Sequence, residues 1–469
     1  MRDFRLLVGG ALVETDRHLD VLNPATGAWL ASCPRADEVV LDDAVAAAKA
    51  AFPSWAGLPW EHRSERLVAL ADHLETGQDQ FAQLMTLEQG KPLFLALVEV
   101  NQAIGILRTF AAMRLDDEIL RDTDREHIVQ QRSPLGVVAA IVPWNFPLIL
   151  LMSKLAPALV AGNTVVVKPA PTTPLTTLLL GELCADLLPP GVVNILVDDN
   201  DLGDRLTRHP DIAKIAFTGS TPTGRRVMES AAPGLKHLTL ELGGNDAALV
   251  LEDAPVKETA AALFGAAMVN SGQVCVAVKR AYVPDALYDD MCAELAALAQ
   301  GAVVDDGLVA GVQFGPLQNK AQFDRVLDLI EDSRQVGTVI AGGKAVDRPG
   351  YFVRPTIVRD LPDDARVVRE EQFGPILPVL RYADIDDAVA RINDSDFGLG
   401  ASVWGRDVDR AVAVASRLEA GTVWINKHLD LQFEIPFRGS KQSGLGAEFG
   451  MDGLREYTQA RVINIAKAA

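Results

Sequence analysis

Hydrophobic and polar positions along the chain follow two periods, one typical of helices and one of short buried strands. Residues 37–51 and 61–88 place apolar side chains at helical spacing and are rich in Ala and Leu, which predicts amphipathic helices. Short apolar runs bounded by turn residues predict strands. In the first half of the chain we predict helices at 154–161, 176–188 and 201–207, and strands at 137–143, 164–168, 193–197 and 212–217.

The second half of the chain repeats this alternation. Strands separated by helices form parallel sheets with both faces covered, and such buried strands lack a polar face. We therefore expect an α/β protein with two doubly wound parallel-sheet domains and a boundary near residue 240. Ligands of such sheets bind at the carboxyl ends of the strands, so a shared site is expected in the cleft between the domains. The predicted strands are 247–251 and 280–283, and the helices are 256–270, 287–301, 322–333 and 385–393.

Length and charge narrow the classes of partner. A chain of 469 residues exceeds what one hydrophobic core usually serves, so more than one domain is expected. Asp and Glu number 63 against 44 Lys and Arg, a formal charge of −19, and an acidic surface repels nucleic acid and anionic membranes. Proline, asparagine and lysine interrupt the most apolar stretch, residues 137–167, so we predict buried core there and no membrane span.

Cysteine usage favours a reducing compartment. The four cysteines are irregularly spaced and form no CxxC pair, so neither a disulfide framework nor a metal site is expected. The N-terminal residues lack the apolar core of a signal peptide. A cytoplasmic location is therefore expected. The cysteines are Cys33, Cys184, Cys275 and Cys292.

The segment 217–224 lies between a predicted strand and a predicted helix. Gly219 permits a tight turn, Ser220 and Thr221 offer hydroxyl groups, and the helix N-terminus offers free N–H groups. Together these features suit a bound phosphate. The segment is neither the G-x-G-x-x-G pattern nor a P-loop, so a capped turn without a ligand is equally compatible with it.

Three polar residues in apolar surroundings are candidates for catalysis. Cys275 follows a glycine-containing turn and could be a nucleophile once deprotonated, although a single cysteine is more often a small core residue. Glu241 precedes two glycines, and burial there would raise its pKa toward that of a general base; an ion pair at a domain junction is the alternative. Asn145, between two prolines, offers an amide to a developing oxyanion or simply holds a rigid turn.

Taken in order, these segments resemble the aldehyde dehydrogenase superfamily. The resemblance extends over nearly the whole chain, and its specificity comes from the order and approximate spacing of several motifs. They are Trp144-Asn145, Lys168-Pro169, the turn 219–224, Glu241-Leu242-Gly243-Gly244, Gly272-Gln273-Val274-Cys275, Glu370-Glu371-Gln372-Phe373-Gly374-Pro375 and Lys441-Gln442-Ser443-Gly444.

The resemblance implies a role for each matching residue. Cys275 matches the nucleophile that adds to an aldehyde, and its backbone N–H together with the Asn145 amide matches the oxyanion site. Glu241 matches the base that activates water to hydrolyse the resulting thioester. NAD is the expected hydride acceptor, with NADP possible because Pro171 stands where NAD-specific members often carry an acid. The implied cofactor-binding residues are Trp144, Lys168, Gly219, Ser220, Gly224, Glu371 and Phe373.

The resemblance also implies how the domains are arranged. Residues 1–239 match a Rossmann-like cofactor-binding domain, from which residues 120–135 contribute to a small β oligomerisation arm. Residues 240–435 match the catalytic domain, and residues 436–469 match a return segment that ends in the same arm.

Strands predicted at 125–132 and 456–466 fit that arm, so a homodimer or homotetramer is expected. Arg438 stands where the family usually has glycine, in a loop near the subunit or substrate surface. Substrate selectivity is expected in the funnel to the nucleophile, lined by Trp144, Val274, Val276 and the loop 428–433.

The leading hypothesis is oxidation of an aldehyde to a carboxylic acid. A CoA-acylating enzyme is an alternative, but a hydrolytic base such as Glu241 would destroy its thioester. A cofactor-free esterase would leave Lys168 and Phe373 without a purpose. A non-catalytic binding protein on the same scaffold should lack at least one of the three catalytic residues.

Overall fold

The computed structural model describes residues 3–467, which contain two large sheets with helices on both faces. In the first sheet the strands from Val193–Ile195 to His237–Glu241 are parallel, and the strands that flank this group are antiparallel to it. The spatial order is Ala11–Val13, Leu6–Val8, Val193–Ile195, Thr164–Lys168, Val137–Ile141, Ile212–Thr218, His237–Glu241 and Gly444–Leu445.

The second sheet is parallel except for the strand Thr338–Ala341 at one edge. The predicted α/β fold with two doubly wound sheets is therefore confirmed, with the difference that both sheets are mixed at their edges. The antiparallel strands Leu6–Val8, Thr338–Ala341 and Gly444–Leu445 are too short to give an apolar run in the sequence. The spatial order is Thr338–Ala341, Thr356–Arg359, Ile376–Tyr382, Val278–Pro284, Asp246–Val250, Gly400–Trp404 and Thr422–Ile425.

Helices cover both faces of each sheet. Those before the crossover between the sheets are Glu38–Ala56, Trp60–Thr76, Gln78–Gln89, Leu93–Ala112, Ile149–Ala161, Leu175–Leu187, Gly203–Arg208 and Thr221–Ala231. Those after it are Val256–Met268, Tyr288–Gly301, Lys320–Val336, Arg366–Arg369, Ile385–Asn393, Val408–Ala415 and Gly450–Arg455.

Two predicted helices differ from the structure. The helix predicted at 61–88 is broken at Gly77, whose N–H caps the end of Trp60–Thr76 before Gln78–Gln89 begins. The helix predicted from residue 154 begins at Ile149, because its first turn is apolar on every side and gives no amphipathic signal.

The chain crosses from the first sheet to the second between Glu241 and Asp246. The expected boundary near residue 240 falls within His237–Glu241, a strand of the first sheet. Gly444–Leu445 later returns to pair with that strand. The chain then ends in a separate three-stranded arm, in which Glu126–Pro134 lies between Thr458–Ala466 and Glu118–Asp122.

One helix of residues 3–467, Leu93–Ala112, is long and apolar enough to cross a membrane by length and composition alone. Half of it is buried inside the protein, where it contacts Trp60–Thr76, Gln78–Gln89 and Ile149–Ala161. Core helices commonly meet the same criteria. The apolar stretch 137–167 is a buried strand, helix and strand, as predicted.

The buried carboxylate of Glu88 joins two of the helices around the first sheet. It accepts the backbone N–H groups of Leu175 at 2.7 Å and Thr176 at 2.8 Å, at the start of Leu175–Leu187. Burial raises the pKa of Glu88 to about 7. The side chain thus satisfies two helix N–H groups that would otherwise be buried without acceptors.

We expect Glu88→Ala to lower the free energy of unfolding by about 2–4 kcal/mol, because it removes both acceptors and leaves a small cavity. Chemical denaturation followed by circular dichroism measures the change. The exposed Glu65 provides the control variant Glu65→Ala. Equal unfolding midpoints for the two variants would contradict the capping role.

Candidate active site

Neighbouring parallel strands of the first sheet end in residues singled out from the sequence. Asn145 lies in the turn after Val137–Ile141, and Lys168 and Glu241 are the last residues of their strands. Gly219 directly follows its strand. Because these strands are parallel and adjacent, their carboxyl ends line one edge of the sheet.

Cys275 approaches this edge from the other half of the molecule. It lies in the loop between Val256–Met268 and Val278–Pro284, and it is half-buried, whereas the other three cysteines are buried. The Asn145 Nδ2 donates a hydrogen bond of 2.9 Å to the Gln273 carbonyl. This bond ties the turn of the first sheet to the cysteine loop.

The carboxylate of Glu241 is buried, and neither of its oxygens has a hydrogen-bond donor among residues 3–467. Burial raises the pKa of Glu241 well above its usual range, the nearby Glu448 raises it further, and Lys154 lowers it. A buried carboxylate without partners is costly, so its presence at a cleft indicates a functional group.

A buried ion pair that the motifs did not predict lies beside Glu241. The Lys154 Nζ lies 2.5 Å from Glu448 Oε1 and donates to the Thr218 hydroxyl at 2.6 Å. Lys154 is the single charged residue of the apolar stretch 137–167, and this could have predicted a buried ion pair, because lysine is rarely buried unless it is paired. Glu448, 294 residues further along, gave no such signal.

Two glycines let three segments meet at the crossover. The Gly244 N–H donates to Glu371 Oε1 at 3.1 Å. A Cβ atom at Gly243 would lie 2.6 Å from Glu371 Oε2, and one at Gly244 would lie 2.5 Å from the Cys275 carbonyl oxygen. A side chain at Gly244 would meet fixed backbone, so glycine is required there for the approach of Cys275, and a side chain at Gly243 would displace the Glu371 carboxylate.

Trp144 and Phe373 form an aromatic pair at the mouth of the cleft. Their ring centroids are 5.4 Å apart and their planes are nearly perpendicular, at 87°. Phe373 has a left-handed backbone with φ of 50°, and its carbonyl accepts a 2.9 Å hydrogen bond from Gln322 Nε2. The Phe373 ring is therefore held from the backbone in a fixed orientation.

A groove of about 710 Å³ opens along the strand ends of the first sheet. Its walls include four of the predicted cofactor-binding residues and the exposed side chain of Arg226. It joins apolar surface to hydroxyl, ammonium and backbone N–H donors, as a dinucleotide requires. The four predicted residues are Trp144, Lys168, Gly219 and Ser220.

The turn after Gly219 caps a helix. The Ser220 hydroxyl accepts the Thr223 N–H at 3.4 Å at the start of Thr221–Ala231. Gly224, by contrast, does not line the groove. A Cβ atom there would overlap the Leu242 side chain, so Gly224 packs against the segment that connects the two sheets.

Lys168 does not face the groove alone. Its Nζ lies 2.6 Å from the buried carboxylate of Asp198, whose second oxygen accepts the Leu202 N–H at 2.9 Å. The family pattern pointed to an acid only at the position of Pro171, whereas Asp198 comes from the loop after Val193–Ile195.

Three of the predicted funnel residues have buried side chains in the structure. The His428 ring is fully buried: its Nε2 lies 2.8 Å from the Val276 carbonyl, and its centroid lies 4.7 Å from that of Trp424. The ring therefore packs inward, where its nitrogen has a buried hydrogen-bond partner, and it does not line a funnel. Val274 and Val276 are also buried.

Arg438 is a surface residue in this structure. Its guanidinium pairs with Asp452 in the helix Gly450–Arg455. Exposed pairs of this kind contribute little to stability.

Comparisons with known proteins agree with this geometry. The model of the aldehyde dehydrogenase family matches residues 12–463. A phenylacetaldehyde dehydrogenase from Pseudomonas fluorescens is 40% identical over 480 residues, which cover 98% of this chain and 96% of that protein.

Solved structures give the same result. An NAD+ complex of an aldehyde dehydrogenase from Bacillus cereus has a TM-score of 0.97 and 36% identity, covering 99% of this chain and 97% of the other. An NADP-dependent enzyme from E. coli has a TM-score of 0.96 and 36% identity, covering 99% and 98%. By sequence and by fold the chain therefore belongs to the aldehyde dehydrogenase family and is an NAD(P)-dependent enzyme.

Proposed function

We propose that this enzyme oxidises an aldehyde to a carboxylic acid through a thiohemiacetal and then a thioester on Cys275. The proposal rests on one observation. A half-buried thiol, the buried Asn145 amide and the unpartnered Glu241 carboxylate meet where the two sheets face each other. Covalent oxidation of an aldehyde needs these three groups, as a nucleophile, an oxyanion donor and a base.

The thiol must lose its proton before it can attack. Burial raises the pKa of Cys275 to about 12, and the Glu371 carboxylate is the next largest cause. The thiol is therefore protonated at neutral pH. Its proton passes to solvent as the sulfur attacks, so Glu241, whose pKa is raised, remains available to accept a proton in the hydrolysis step. As sulfur bonds to the carbonyl carbon, negative charge passes to the aldehyde oxygen.

The Asn145 amide is placed to receive that charge. One hydrogen of its Nδ2 goes to the Gln273 carbonyl, and the other has no acceptor among residues 3–467. Its backbone carbonyl is held by Lys91 Nζ at 2.9 Å and by Asn270 Nδ2 at 3.0 Å. A donor fixed in this way need not reorganise when the oxyanion forms, and the Cys275 backbone N–H is the second proposed donor.

The groove of the first sheet fits a nicotinamide dinucleotide. Lys168 and Ser220, with the N-terminus of Thr221–Ala231, would hold the ribose and phosphate groups. Glu371 and Phe373 would hold the nicotinamide end. When bound there, the nicotinamide would supply the acceptor for the hydride that leaves the carbon attached to Cys275.

Hydrolysis completes the reaction. Glu241 takes a proton from water while the water oxygen bonds to the thioester carbon, and the carbon–sulfur bond then breaks to release the acid and the Cys275 thiolate. A buried base with a raised pKa beside the thioester makes water the proposed acyl acceptor. CoA acylation would have no use for this base.

We propose that NAD is preferred over NADP. The Lys168 ammonium is paired with the buried Asp198, so its charge is neutralised and attracts an additional phosphate weakly. Asp198 thereby supplies, from another loop, the negative charge that Pro171 lacks. Arg226 on the groove wall favours a phosphate, but it is exposed and its charge is screened by solvent.

We also propose that the three-stranded arm joins copies of the chain into a homodimer or homotetramer in the cytoplasm. Four large apolar side chains of the arm are exposed, and a second copy would cover them. They are Ile119 at 61%, Leu120 at 49%, Val462 at 55% and Ile465 at 47% exposure.

We expect Asn145→Ala to lower kcat roughly 10²- to 10³-fold, the usual loss when one oxyanion donor is removed. Steady-state kinetics with a saturating aldehyde measures it, and the Kd for the cofactor serves as the internal control. Weaker cofactor binding with unchanged kcat would assign Asn145 to the turn and not to the chemistry.

We expect Glu241→Gln to spare hydride transfer more than thioester hydrolysis, because the amide cannot accept a proton at neutral pH. Rapid mixing should show a burst of reduced cofactor of about one per active site, followed by slow turnover. Mass spectrometry should detect the acyl group on Cys275.

The variant Cys275→Ala is the matched control, since it should give neither burst nor adduct. A Glu241→Gln enzyme with unaltered steady-state turnover would make Glu241 a structural carboxylate. Absence of both burst and adduct in that variant would instead place the action of Glu241 before hydride transfer.

We expect Asp198→Asn to raise the ratio of kcat/KM for NADP to that for NAD about 10-fold or more, because it frees the Lys168 charge. The control is Asp201→Asn in the same loop, where the acid pairs with Arg35 at 2.6 Å. The NAD preference of the wild-type enzyme is measured in the same assay. If Asp198→Asn leaves this ratio unchanged, the pair of Lys168 with Asp198 does not determine the choice of cofactor.

A further inference from the structure

The backbone on both sides of Cys275 is held by side chains. The Lys279 ammonium donates to the Val274 carbonyl, and the His428 Nε2 lies 2.8 Å from the Val276 carbonyl. With Asn145 on the Gln273 carbonyl, three carbonyl groups of the loop have side-chain partners. Polar side chains from three different segments thus fix the loop that carries the thiol, and the sequence motifs did not single out Lys279 among them.

Lys279 is unusual among these groups. Lys279 lies in the strand Val278–Pro284, and the residue is buried, with 2% of its surface exposed. No carboxylate lies within 4 Å of its ammonium among residues 3–467, and the Val274 carbonyl is its hydrogen-bond acceptor. Its Nζ also lies 5.6 Å from the centroid of the Phe373 ring. Burying a cation without an ion pair is costly, so a structural role alone is a weak explanation.

A second unpaired charge lies nearby. Asp246 is buried, neither carboxylate oxygen has a hydrogen-bond donor in the described part of the chain, and one of them is 3.7 Å from His428 Nε2. Asp246 begins the strand that pairs with Val278–Pro284. The surroundings of Cys275 therefore contain one cation without a direct ion pair and several carboxylates.

We propose that Lys279 is a positioning residue for Cys275: its buried ammonium holds the Val274 carbonyl and supplies the positive charge that allows a thiolate to form among carboxylates. The inference rests on the proposed role of Cys275 as nucleophile and adds the source of its electrostatic support.

The effects of the charged groups that face Cys275 have the signs that this proposal requires. Glu371, Asp246 and Glu241 raise the pKa of its thiol, and Lys279 lowers it. The pKa of Lys279 is in turn lowered by burial and raised by Glu371 and Asp246. Removing the Lys279 charge leaves only groups that disfavour the thiolate, whereas removing the Asp246 charge takes one of them away.

The test is the alkylation rate of Cys275 by iodoacetamide in the enzyme without cofactor, measured by mass spectrometry between pH 7 and pH 9.5. Lys279→Met keeps the length of the side chain and removes its charge. We expect alkylation about 10-fold slower at each pH, which corresponds to a thiol pKa about one unit higher. The control is Lys214→Met, another fully buried lysine, whose Nζ donates to Thr239 Oγ1 at 2.7 Å. It should alkylate at the wild-type rate.

Asp246→Asn provides a test of opposite sign, since Asn keeps the shape and removes the negative charge. We expect faster alkylation of Cys275, a result that a loosened or misfolded loop with the same thiol exposure does not predict. Equal or slower alkylation in Asp246→Asn would overturn the charge argument even if Lys279→Met fails to fold. Wild-type alkylation in a folded Lys279→Met protein would overturn the proposal directly.

Failure of the proposed function has a different outcome. If Cys275→Ala still oxidised aldehydes, the role of Cys275 as nucleophile would be wrong. The alkylation rates of the Lys279 and Asp246 variants would still decide whether these charges control the thiol.

Discussion

The site depends on one close backbone approach at the crossover between the sheets. The chain leaves the first sheet at Glu241 and enters the second at Asp246. Between them Gly243 and Gly244 lie against the Glu371 carboxylate and the Cys275 carbonyl with no room for a side chain. The residues proposed as base, nucleophile and carboxylate at the cofactor end come from distant parts of the sequence. Their separation is therefore set by this contact, and covalent catalysis tolerates little error in such distances.

Some buried charged residues around the crossover have ion-pair partners, and Glu241 has none among the residues that the structure describes. Lys154 is paired with Glu448, and that pair contributes no net charge to the cleft. Glu241, in the same region, has no direct partner. Pairing would have stabilised the fold and lowered the pKa of Glu241, so the unpaired arrangement is costly for folding but suits proton transfer. The fold is therefore locally less stable at the residue proposed as the base.

The sequence predicts the parallel core of this fold well because each central strand is a continuous apolar run. Thr164–Lys168 and Ile385–Asn393 have the predicted bounds. Edge strands such as Leu6–Val8 are too short to show a period. The motifs locate the cleft, yet they do not distinguish a glycine that packs, as Gly224 does, from one that admits a ligand. Pairs such as Lys168 with Asp198 join loops whose proximity only the folded sheet creates.

The buried lysines show why contacts, and not residue type, determine electrostatic function. Each of three lysines at the cleft has a carboxylate as its direct partner, so it fixes geometry while its charge is neutralised locally. Lys279 differs because a neutral carbonyl is its hydrogen-bond partner, which leaves its positive charge acting on the surroundings. Nothing in the local sequence distinguishes a lysine paired with a carboxylate from one bonded to a neutral carbonyl. The difference arises in the folded structure, which places a carboxylate beside three of these lysines. The pairs are Lys91 with Glu99, Lys154 with Glu448, and Lys168 with Asp198.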